Sequence, residues 1–599
     1  MELQELTDLI PSEAAVLSAI FLILFVPILY IILSGPSFEE PVEYDVPVPE
    51  QCRQGWDGKI LDEPSIKASG STAIQCYCPT NGKFLGLVNP TTPDGIDRAI
   101  TKAHEAQIEW AKTSFDRRRK VLRTLLKHIL DNQDVIARAA CLDSGKTMVD
   151  ASFGEILVTA EKLKWTIDHG EKALRPSKRP TNLLMMYKKN EVRYEPLGVV
   201  AACVSWNYPF HNLLGPIISS LFTGNAIVLK PSERTAWSSN YFISVVKSAL
   251  EACGHSPHLV QSVTCWPQAA SHLTSHPVLS HITFIGSRPV AHSVASSAAK
   301  ALTPLTLELG GKDPAIILDD ARNLPAIASI LMRGVFQSSG QNCIGIERIV
   351  ATPKVYPQLL ALLEPRIRAL RLGSALDDTG ADADEIDMGA CISDDGFSRL
   401  ESLIAAAVKD GARLLCGGRR CVHPRHPAGH YFAPTLLVDV TPEMDIAQQE
   451  LFAPVAVLMR AADVRDAIRI ANATPYALGA SVFGSEPYYV NQVVAGLEAG
   501  MVSVNDFAAY YAVQLPFGGV KGSGYGRFAG EEGLRSLCNA KSVCEDRTAL
   551  VGTKIPRRLD YPISGGSKPW EMCKGIVELG YRDGWRAKVD ALRRLLRNS

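Results

Sequence analysis

The sequence predicts a mixed α/β fold built around a doubly wound parallel sheet. Short apolar runs rich in β-branched residues recur along the chain, as expected for strands that are buried on both faces. These runs are LGVVAACVSW (197–206), NAIVLKPS (225–232), ITFIGS (282–287) and PAIILDD (314–320). A helical stretch separates the first two runs. Strands that alternate with helices in this way favour a doubly wound sheet with helices on both faces.

Length and composition are those of a globular protein with several domains. The 599 residues are too many for one simple core, and 46% hydrophobic with 21% charged residues is an ordinary balance. The formal net charge of −1 gives a nucleic-acid-binding surface little electrostatic support. The 14 scattered cysteines do not form the dense framework of a small secreted domain, so we interpret them as reduced thiols.

The N-terminal region predicts a membrane anchor. Residues 14–33 are uncharged and rich in Leu, Ile and Phe, and a helix of this length spans about 30 Å, the thickness of the hydrocarbon layer. Glu13 and other acidic residues precede this span, whereas a cleaved signal peptide would begin with basic residues. The first basic residues after it, Arg53 and Lys59, favour a cytosolic body. Residues 34–70, with a Pro- and acid-rich start, are predicted to form a linker.

Local patterns predict further elements on either side of the sheet strands. STAIQCYCPTNGKFLGLV (71–88) alternates polar and apolar residues around a Thr-Asn-Gly turn, which predicts a β-hairpin. Residues 94–135 have apolar residues at helical spacing. One face of a predicted amphipathic helix near the C-terminus carries Trp585, Val589, Leu592 and Leu596. This helix could dock on its own protein or lie on an anionic membrane, and docking is the simpler interpretation.

One short region is rich in residue types that bind metals. It contains Cys416, Cys421, His423, His426 and His430, interspersed with prolines and glycines. Structural zinc sites usually have paired ligands at short and regular spacing, and this region lacks that pattern. We therefore predict a flexible loop and no metal site.

Five motifs contain residues that are suited to catalysis. FQSSGQNCIGIERI (336–349) places Cys343 after a small polar run, and on its own a buried packing cysteine is the simpler interpretation. The other motifs are VSWNYPFHNLLGP (204–216), KPSE (230–233), LELGGKDP (307–314) and PFGGVKGSGYGR (516–527). Each of them alone has an ordinary structural explanation. In this order, however, the motifs resemble the NAD(P)-dependent aldehyde dehydrogenase superfamily over about residues 72–548.

The resemblance implies three catalytic residues. Cys343 is the nucleophile that attacks the aldehyde to form a thiohemiacetal, because a thiolate is nucleophilic even when only partly ionised. The Asn207 amide, with the Cys343 backbone N–H, stabilises the developing oxyanion. Glu308 is the general base that activates water to hydrolyse the resulting thioester, and it can also deprotonate the thiol. The presence of Glu308 argues that the protein does not belong to the branch of the superfamily that releases acyl-CoA, because members of that branch lack this glutamate.

The resemblance also implies a nicotinamide cofactor, although the usual GxGxxG fingerprint is absent. The implied cofactor-binding residues are Ser205, Trp206, Lys230, Ser232, Glu233, Gly286, Ser287, Leu309, Glu450 and Phe452. Gly286 and Ser287 begin the turn against the pyrophosphate, and Lys230 and Glu233 hold the adenosine ribose. A carboxylate at Glu233 would repel a 2′-phosphate, so we expect NAD to be preferred over NADP.

The remaining implied contacts concern the nicotinamide and the substrate tunnel. Glu450 binds the nicotinamide ribose, and Phe452 packs beside the ring. Two alanines stand where many members have glycine: Ala453 beside that ring contact, and Ala291 in the pyrophosphate turn, where a methyl group could displace the pyrophosphate. Candidate tunnel residues are Tyr208, His211, Phe507 and Tyr510.

The resemblance divides the chain into domains. They are a transmembrane anchor (14–33), a linker (34–70), an NAD-binding domain (71–309) interrupted by an oligomerisation hairpin at about 180–198, a catalytic domain (310–530), an oligomerisation strand (531–550) and a C-terminal extension (551–599). The anchor and the extension lie outside the common core, and they make the membrane-anchored eukaryotic branch the most similar. The implied assembly is a homodimer or homotetramer on the endoplasmic reticulum, with its catalytic body in the cytosol.

The sequence thus predicts a membrane-anchored enzyme that oxidises an aldehyde to a carboxylic acid with NAD. Its partners are the aldehyde and, through the N-terminal helix, the lipid bilayer. One alternative is a semialdehyde dehydrogenase of amino-acid catabolism. A short acidic substrate would require an Arg or Lys in the tunnel, and no such residue is evident near residues 208–216. Another is a catalytically inactive membrane interaction protein, which the retention of Cys343, Glu308 and Asn207 disfavours.

Overall fold

The computed structural model of the protein describes residues 39–374, 376, 385–507 and 512–598. The predicted membrane span at 14–33 lies outside these residues. Within them, no helix is both long and apolar enough to cross a bilayer. Two largely parallel sheets with flanking helices dominate the described chain, and the predicted α/β class is confirmed.

The first elements form a hairpin and a layer of helices. Strands β1 (Ile74–Tyr77) and β2 (Phe84–Val88) pair in antiparallel fashion across the predicted turn. The helices that follow are α1 (Pro93–Trp110), α2 (Phe115–Asp131), α3 (Gln133–Ser144), α4 (Met148–Ala151) and α5 (Val158–Ala173). A π-helical segment, Ser152–Leu157, joins α4 to α5, and such segments are frequent at functional sites. Two strands come next, β3 (Ser177–Arg179) and β4 (Lys188–Pro196).

Residues 39–52 form a segment, here called the strap, that lies against α2. Glu39 Oε1 is 2.8 Å from Arg119 Nε, and the two side chains are largely buried. The Tyr44 ring stacks on His128 with centroids 4.4 Å apart. Within the predicted linker, the strap is therefore packed on the body rather than solvated. Acidic and aromatic residues between prolines are typical of a solvated linker, but they also complement a basic helix when one lies close by.

The first sheet contains five parallel strands in the spatial order β9-β8-β5-β6-β7. These strands are β5 (Val199–Cys203), β6 (Ala226–Lys230), β7 (Val260–Ser262), β8 (Leu279–Ile285) and β9 (Leu305–Glu308). The connecting helices are α6 (Pro209–Thr223), α7 (Ala236–Ala252), α8 (Pro267–Thr274) and α9 (Arg288–Ala298). The carboxyl ends of parallel strands meet at one edge, which is where such sheets bind ligands.

The second sheet has seven strands in the order β12-β15-β16-β11-β10-β17-β18, of which only the edge strand β12 is antiparallel to its neighbour. The strands of this region are β10 (Pro314–Ile317), β11 (Arg348–Ala351), β12 (Arg413–Cys416), β13 (Arg420–Cys421), β14 (Tyr431–Phe432), β15 (Thr435–Val438), β16 (Val455–Arg460), β17 (Gly479–Phe483) and β18 (Met501–Val504). The helices are α10 (Leu324–Phe336), α11 (Val355–Arg368), α12 (Phe397–Lys409), α13 (Asp445–Gln448), α14 (Val464–Asn472) and α15 (Pro487–Gly496). Strands β13 and β14 form a separate small hairpin.

The last elements return to the first sheet and then leave the common core. They are β19 (Gly524–Tyr525), α16 (Gly530–Arg535), β20 (Cys538–Asp546), α17 (Lys568–Tyr581) and α18 (Trp585–Asn598). Strand β19 pairs with β9, and β20 pairs with β4 in an antiparallel sheet of order β20-β4-β3.

The bounds of the predicted oligomerisation elements differ from the structure. The hairpin predicted at about 180–198 consists of strands at 177–179 and 188–196, and the strand predicted at 531–550 covers only 538–546. Helix α16 occupies the start of the latter range, because its Gly-Glu-Glu-Gly-Leu-Arg sequence has charged residues at helical spacing rather than strand alternation.

The predicted amphipathic helix at the C-terminus, α18, packs on α17. Ala591 is completely buried in this contact, and a Cβ at Gly575 would lie 2.9 Å from the Leu595 side chain, so the two helices approach closely there. The apolar face predicted for α18 is nevertheless only partly covered, since Trp585 is 72% exposed and Leu596 is 70% exposed.

The two parallel sheets are joined so that their strand ends meet. Strand β9 ends at Glu308 and β10 begins at Pro314, so the chain passes directly from the carboxyl edge of the first sheet to the amino edge of the second. Alternate residues of β10 enter different apolar cores, with Ile316 on one face and Ile317 on the other. Both faces are therefore covered, and the meeting edges are where polar side chains can collect.

Candidate active site

Cys343 lies in a tightly constrained loop between α10 and β11. Ser338, Ser339 and Gly340 precede it with left-handed backbones, at φ of 53°, 59° and 72°. Serine rarely adopts this conformation, so the contacts of the loop must hold it in place. A Cβ at Gly340 would lie 2.1 Å from the Ala453 carbonyl oxygen, so only glycine fits there. The loop thereby fixes the position of the cysteine.

Asn207 is buried just after β5, and its neighbours fix the orientation of its amide. Its Oδ1 accepts hydrogen bonds from Ser205 Oγ at 2.6 Å and from Asn212 Nδ2 at 3.2 Å. Because the oxygen is used in this way, Nδ2 points in the other direction and donates to the Gln341 carbonyl oxygen at 3.2 Å. An amide N–H is therefore presented beside the cysteine loop, where an oxyanion on a substrate would need a donor.

Glu308 ends β9 with its side chain in the same pocket as Cys343. The residue is 2% exposed, and its Oε1 has no hydrogen-bond partner among the described residues. Burial raises the pKa of Glu308 to about 7. A carboxyl group with this pKa can accept and release a proton near neutral pH, as a general base must.

The Cys343 thiol lies beside the Glu308 carboxylate on the wall of this pocket. Burial, followed by the negative charge of Glu308, raises the pKa of Cys343 well above its usual value. Glu450 and Asp313 contribute smaller effects in the same direction. The thiol is therefore neutral in the resting site, and Glu308 is the adjacent base that can take its proton.

A buried ion pair that the sequence interpretation missed supports the Asn207 region. Lys146 Nζ lies 2.6 Å from Glu155 Oε1 and 2.7 Å from the Asn207 carbonyl oxygen. Glu155 Oε2 accepts the backbone N–H groups of Phe210 and His211, at the start of α6. The pair thus fixes both the backbone of Asn207 and the helix that follows it. No local pattern in the sequence indicates that this lysine and this glutamate meet.

A second buried pair links the cysteine region to the segment before β16. Lys312 Nζ lies 2.7 Å from Glu347 Oε2. Glu347 also accepts the backbone N–H groups of Leu451 and Phe452, each at about 3 Å. Both residues lie in motifs quoted from the sequence, Lys312 in LELGGKDP and Glu347 in FQSSGQNCIGIERI, but the sequence assigned neither of them a contact.

The residues implied to hold the adenosine ribose lie together at the end of β6. Lys230 Nζ is 2.9 Å from Glu233 Oε1. Ser232 Oγ accepts the Arg234 backbone N–H at 3.3 Å and so closes the turn that carries the glutamate. These groups are at the carboxyl edge of the first sheet, where nucleotides bind in open α/β sheets.

Gly286 and Ser287 follow β8 and lead into α9. No side chain caps the N-terminus of this helix, so its first backbone N–H groups suit an anion such as a pyrophosphate. The Ala291 methyl is buried in the apolar core and is 2% exposed. The methyl group is therefore enclosed by the protein core.

The remaining cofactor candidates lie where the two sheets meet. Glu450 Oε1 accepts the Gly311 N–H at 3.1 Å. The Trp206 and Phe452 rings meet edge to face with centroids 5.5 Å apart. Leu309 is buried, and its N–H donates to the Ser523 carbonyl oxygen at 3.2 Å. With carboxylates for two riboses and an uncapped helix for the pyrophosphate, the residues present fit a nicotinamide dinucleotide.

The pocket that contains Cys343 and Glu308 extends to the start of α6 and has mainly apolar walls. Tyr208 and His211 line it, as expected for tunnel residues. Phe507 does not, because it is buried in the core beside the second sheet. Tyr510 lies outside the described residues.

The cysteines and histidines between residues 416 and 430 do not converge on a common point. The His423 and His426 rings stack with centroids 5.0 Å apart, and His430 Nε2 forms a hydrogen bond of 3.2 Å with Tyr77 Oη. In the part of the chain that the structure describes, no three His, Cys, Asp or Glu side chains are grouped so that they could hold a metal ion.

Comparisons with known proteins agree with this arrangement. The model of the aldehyde dehydrogenase family matches residues 66–543. A Saccharomyces cerevisiae protein described as aldehyde dehydrogenase-like is 50% identical, over 98% of this chain and 93% of its own length. A succinate-semialdehyde dehydrogenase of Mycobacterium tuberculosis, named with NADP(+), is 29% identical over 78% of this chain and 98% of its own length.

Solved structures have the same fold. The crystal structure of a Mycobacterium tuberculosis aldehyde dehydrogenase complexed with NAD+ superimposes with a TM-score of 0.73 at 29% identity. The match covers 81% of this chain and 98% of the other. The region matched by the family model includes both parallel sheets and Cys343, Glu308 and Asn207. The chain therefore belongs to the aldehyde dehydrogenase family.

Proposed function

We propose that this protein is a membrane-anchored, NAD-dependent aldehyde dehydrogenase that oxidises an aldehyde to a carboxylic acid through a thioester on Cys343. The observation that carries the proposal is that a thiol and a base with a near-neutral pKa share one pocket, while an oriented amide donor lies beside the cysteine loop. An inactive interaction protein would have no need to keep these three groups in this arrangement.

In the first half of the reaction, Glu308 takes the thiol proton and the Cys343 sulfur attacks the carbonyl carbon. The carbonyl oxygen becomes an oxyanion, which the Asn207 amide N–H stabilises; one such donor typically contributes about 3–4 kcal/mol. The chemistry that bound NAD supplies is acceptance of the hydride that leaves this tetrahedral carbon. The carbonyl re-forms as the hydride leaves, and the acyl group remains on the sulfur as a thioester.

In the second half, Glu308 first releases the thiol proton to solvent and then, as a carboxylate again, activates a water molecule. The carboxylate takes one water proton while the oxygen attacks the thioester carbon, and the sulfur then leaves as a thiolate that is reprotonated. The carboxylic acid is the product. The buried Oε1 of Glu308, which has no partner among the described residues, is available for this water.

NAD is proposed as the preferred cofactor because Glu233 stands at the implied position of the adenosine ribose. Its carboxylate can accept a hydrogen bond from a 2′-hydroxyl and would repel a 2′-phosphate. The succinate-semialdehyde dehydrogenase relative is named with NADP(+), so the residue at this position must be tested in this chain.

The proposed anchor is residues 14–33, and the proposed location is the endoplasmic reticulum membrane with the body in the cytosol. The length and apolar character of that segment support a single span. A dimer is also proposed, because β20 is a nine-residue strand at the edge of its sheet and most of its residues are exposed.

The function is tested by following NADH production by purified protein with a series of aldehydes. We expect Cys343→Ala to abolish turnover while NAD binding, measured by calorimetry, is nearly retained, because the thiol is remote from the implied adenosine site. Cys544→Ala is the matched control, since this thiol is exposed on β20. Wild-type turnover by the Cys343 variant would contradict the proposal.

A further inference from the structure

Lys162, on α5, lines the same pocket as Cys343, and its charge has no carboxylate partner within the described residues. The side chain is buried, and its Nζ donates one hydrogen bond, of 3.1 Å, to the Phe528 carbonyl oxygen. Burial lowers the pKa of Lys162 to about 8, so the ammonium form still predominates at neutral pH. An ammonium group has three N–H donors, so the backbone contact leaves donors unused.

The other buried lysines of the described chain are compensated. Lys146 pairs with Glu155 at 2.6 Å, and Lys312 pairs with Glu347 at 2.7 Å. Burying an ammonium without a counter-charge is costly, and proteins normally provide a carboxylate, as they do in these two cases. The exception is the lysine that borders the substrate pocket.

The rest of the pocket does not provide a counter-charge near this lysine. The walls include Val158, one turn before Lys162 on α5, together with Ile285 and Phe517. The facing His211 is neutral, because burial, followed by the Lys162 charge, lowers the pKa of His211 to about 3.

The lysine is separated from the reacting groups. Lys162 projects from α5 and donates to the Phe528 carbonyl oxygen. Cys343, by contrast, lies in the loop before β11, and Glu308 lies at the end of β9. The pocket therefore has a nucleophile and a base in one part, a cation in another, and mainly apolar walls.

We propose that Lys162 binds a carboxylate at the far end of the substrate, so that the pocket selects aldehydes that carry a carboxylate at the other end of an apolar chain. This inference rests on the function proposed above and names its substrate class. A single ammonium without a second cation suits a singly charged carboxylate better than a phosphate dianion. Residues 208–216 contain no Arg or Lys, which disfavoured a semialdehyde on sequence alone, and α5 supplies the cation that such a substrate requires.

The experiment compares pairs of substrates of equal chain length, one an unbranched aldehyde and the other the same aldehyde with a carboxylate at its far end. The assay uses full-length wild-type protein and NAD. We expect kcat/KM to be higher for the carboxylate-bearing aldehyde of at least one pair by about tenfold or more. The reason is that a site built around a buried polar group discriminates against substrates that leave this group unpaired. Lys162→Met should reverse this ratio, mainly through KM, and Lys162→Arg should retain it.

Lys164→Met is the matched control, because Lys164 lies on the same helix, is mostly exposed and pairs with Asp168. This variant should keep the wild-type ratio. If Lys162→Met does not fold, as judged by thermal unfolding, the wild-type ratio and the neutral but polar Lys162→Gln variant decide the question.

The outcomes separate this inference from the proposed function. If the protein oxidises unbranched aldehydes through Cys343 but prefers none of the carboxylate-bearing substrates, the role of Lys162 is overturned. The proposed function would still stand in that case. A preference that persists unchanged in Lys162→Met would overturn it as well. If neither class of aldehyde yields NADH above the level of Cys343→Ala, the proposed function itself has failed.

Discussion

The carboxyl group of Glu308 connects catalysis to pH, because burial raises its pKa to about 7. Only the carboxylate form can act as a base, so the wild-type kcat should rise as the pH increases through about 7 and then level off. Burial beside this carboxylate also keeps the Cys343 thiol neutral until a substrate is present. The resting enzyme would thereby be protected from the oxidation to which exposed thiolates are prone.

Glu308→Gln should separate the two halves of the reaction. Glutamine fills the same space but cannot accept a proton from water, so the thioester should accumulate. The thioester can still form, because loss of the Glu308 charge lowers the pKa of Cys343 and the thiol can then lose its proton to solvent. Rapid mixing should show a burst of NADH followed by turnover slowed about 100-fold or more, the usual range for loss of a general base. The rise of kcat near pH 7 should disappear in this variant. Steady-state turnover equal to that of wild type would contradict the assignment of Glu308.

Glu233→Gln should narrow the preference for NAD over NADP. The change removes a carboxylate that would repel a 2′-phosphate, and it releases Lys230 from an ion pair of 2.9 Å so that the ammonium can meet that phosphate. We expect the ratio of kcat/KM values for the two cofactors to fall about tenfold, which corresponds to about 1.4 kcal/mol. Glu251→Gln, at the exposed end of α7, is the control. A wild-type protein that already uses NADP better would refute the role given to Glu233.

At the scale of single elements, the start of α6 depends on one buried ion pair. Glu155 comes from the π-helical segment, and it binds Lys146 together with the first backbone N–H groups of the helix. Lys146 in turn binds the Asn207 carbonyl oxygen. The π-helical segment therefore determines where the oxyanion donor lies.

Glu155→Gln should both destabilise the protein and impair catalysis. It leaves the Lys146 charge buried without a partner, and breaking a buried pair in this way typically costs about 3–5 kcal/mol. We expect a lower melting temperature and a reduced kcat, because Asn207 loses its fixed backbone. The control is Glu161→Gln, an exposed position on α5. The double variant Lys146→Met/Glu155→Gln is then compared with Glu155→Gln alone. If the double variant is no more stable, the unpaired Lys146 charge is not the cause of the lost stability.

Strands β5, β6 and β8 of the first sheet and β10 of the second could be predicted because each lies in a short apolar run, whereas β7 and β9 were not predicted. Cys343, Glu308 and Asn207 could be proposed because each lies in a short motif. The supporting contacts could not be predicted in this way. Lys146 and Glu155 are nine residues apart, and whether they meet depends on a π-helical segment that no periodicity reveals. From the sequence alone, Lys162 would be interpreted as one of the charged residues on the polar face of an amphipathic helix. Only the packing of α5 shows that it lines the pocket.

At the scale of the whole molecule, the strap shows that the N-terminal region belongs to the folded body. Glu39 pairs with Arg119 and Arg123, and the backbone N–H of Val42 donates to Thr124 Oγ1 at 3.0 Å. A proposed span that ends at residue 33 would leave only residues 34–38 between the bilayer and the strap. Fully extended, these residues cover about 20 Å, so the body would lie close to the membrane surface.

Truncation should distinguish the strap from a simple linker. A chain that begins at Glu39 keeps the contacts with α2, whereas one that begins at Gln51 loses them. We expect the shorter chain to have a lower melting temperature. The ion pairs and the stacked Tyr44 ring should together contribute roughly 1–3 kcal/mol to the free energy of unfolding, and the shorter chain loses this contribution. Both should retain NAD-dependent activity, because the proposed catalytic residues lie far beyond the strap in the chain. Equal melting temperatures would show that the strap adds no stability.

The proposed anchor makes a prediction about the full-length chain in cells. Because the uncharged residues 14–33 are numerous enough to cross the hydrocarbon layer, the full-length protein should stay in the membrane pellet after alkaline carbonate washing, which removes peripheral proteins. The chain that begins at Glu39 is the control and should be released into the supernatant with its activity. Protease added to sealed microsomes should digest the body, since the basic residues after the span favour the cytosolic side. Protection of the body would overturn the orientation, and release of the full-length protein by carbonate would overturn the anchor itself.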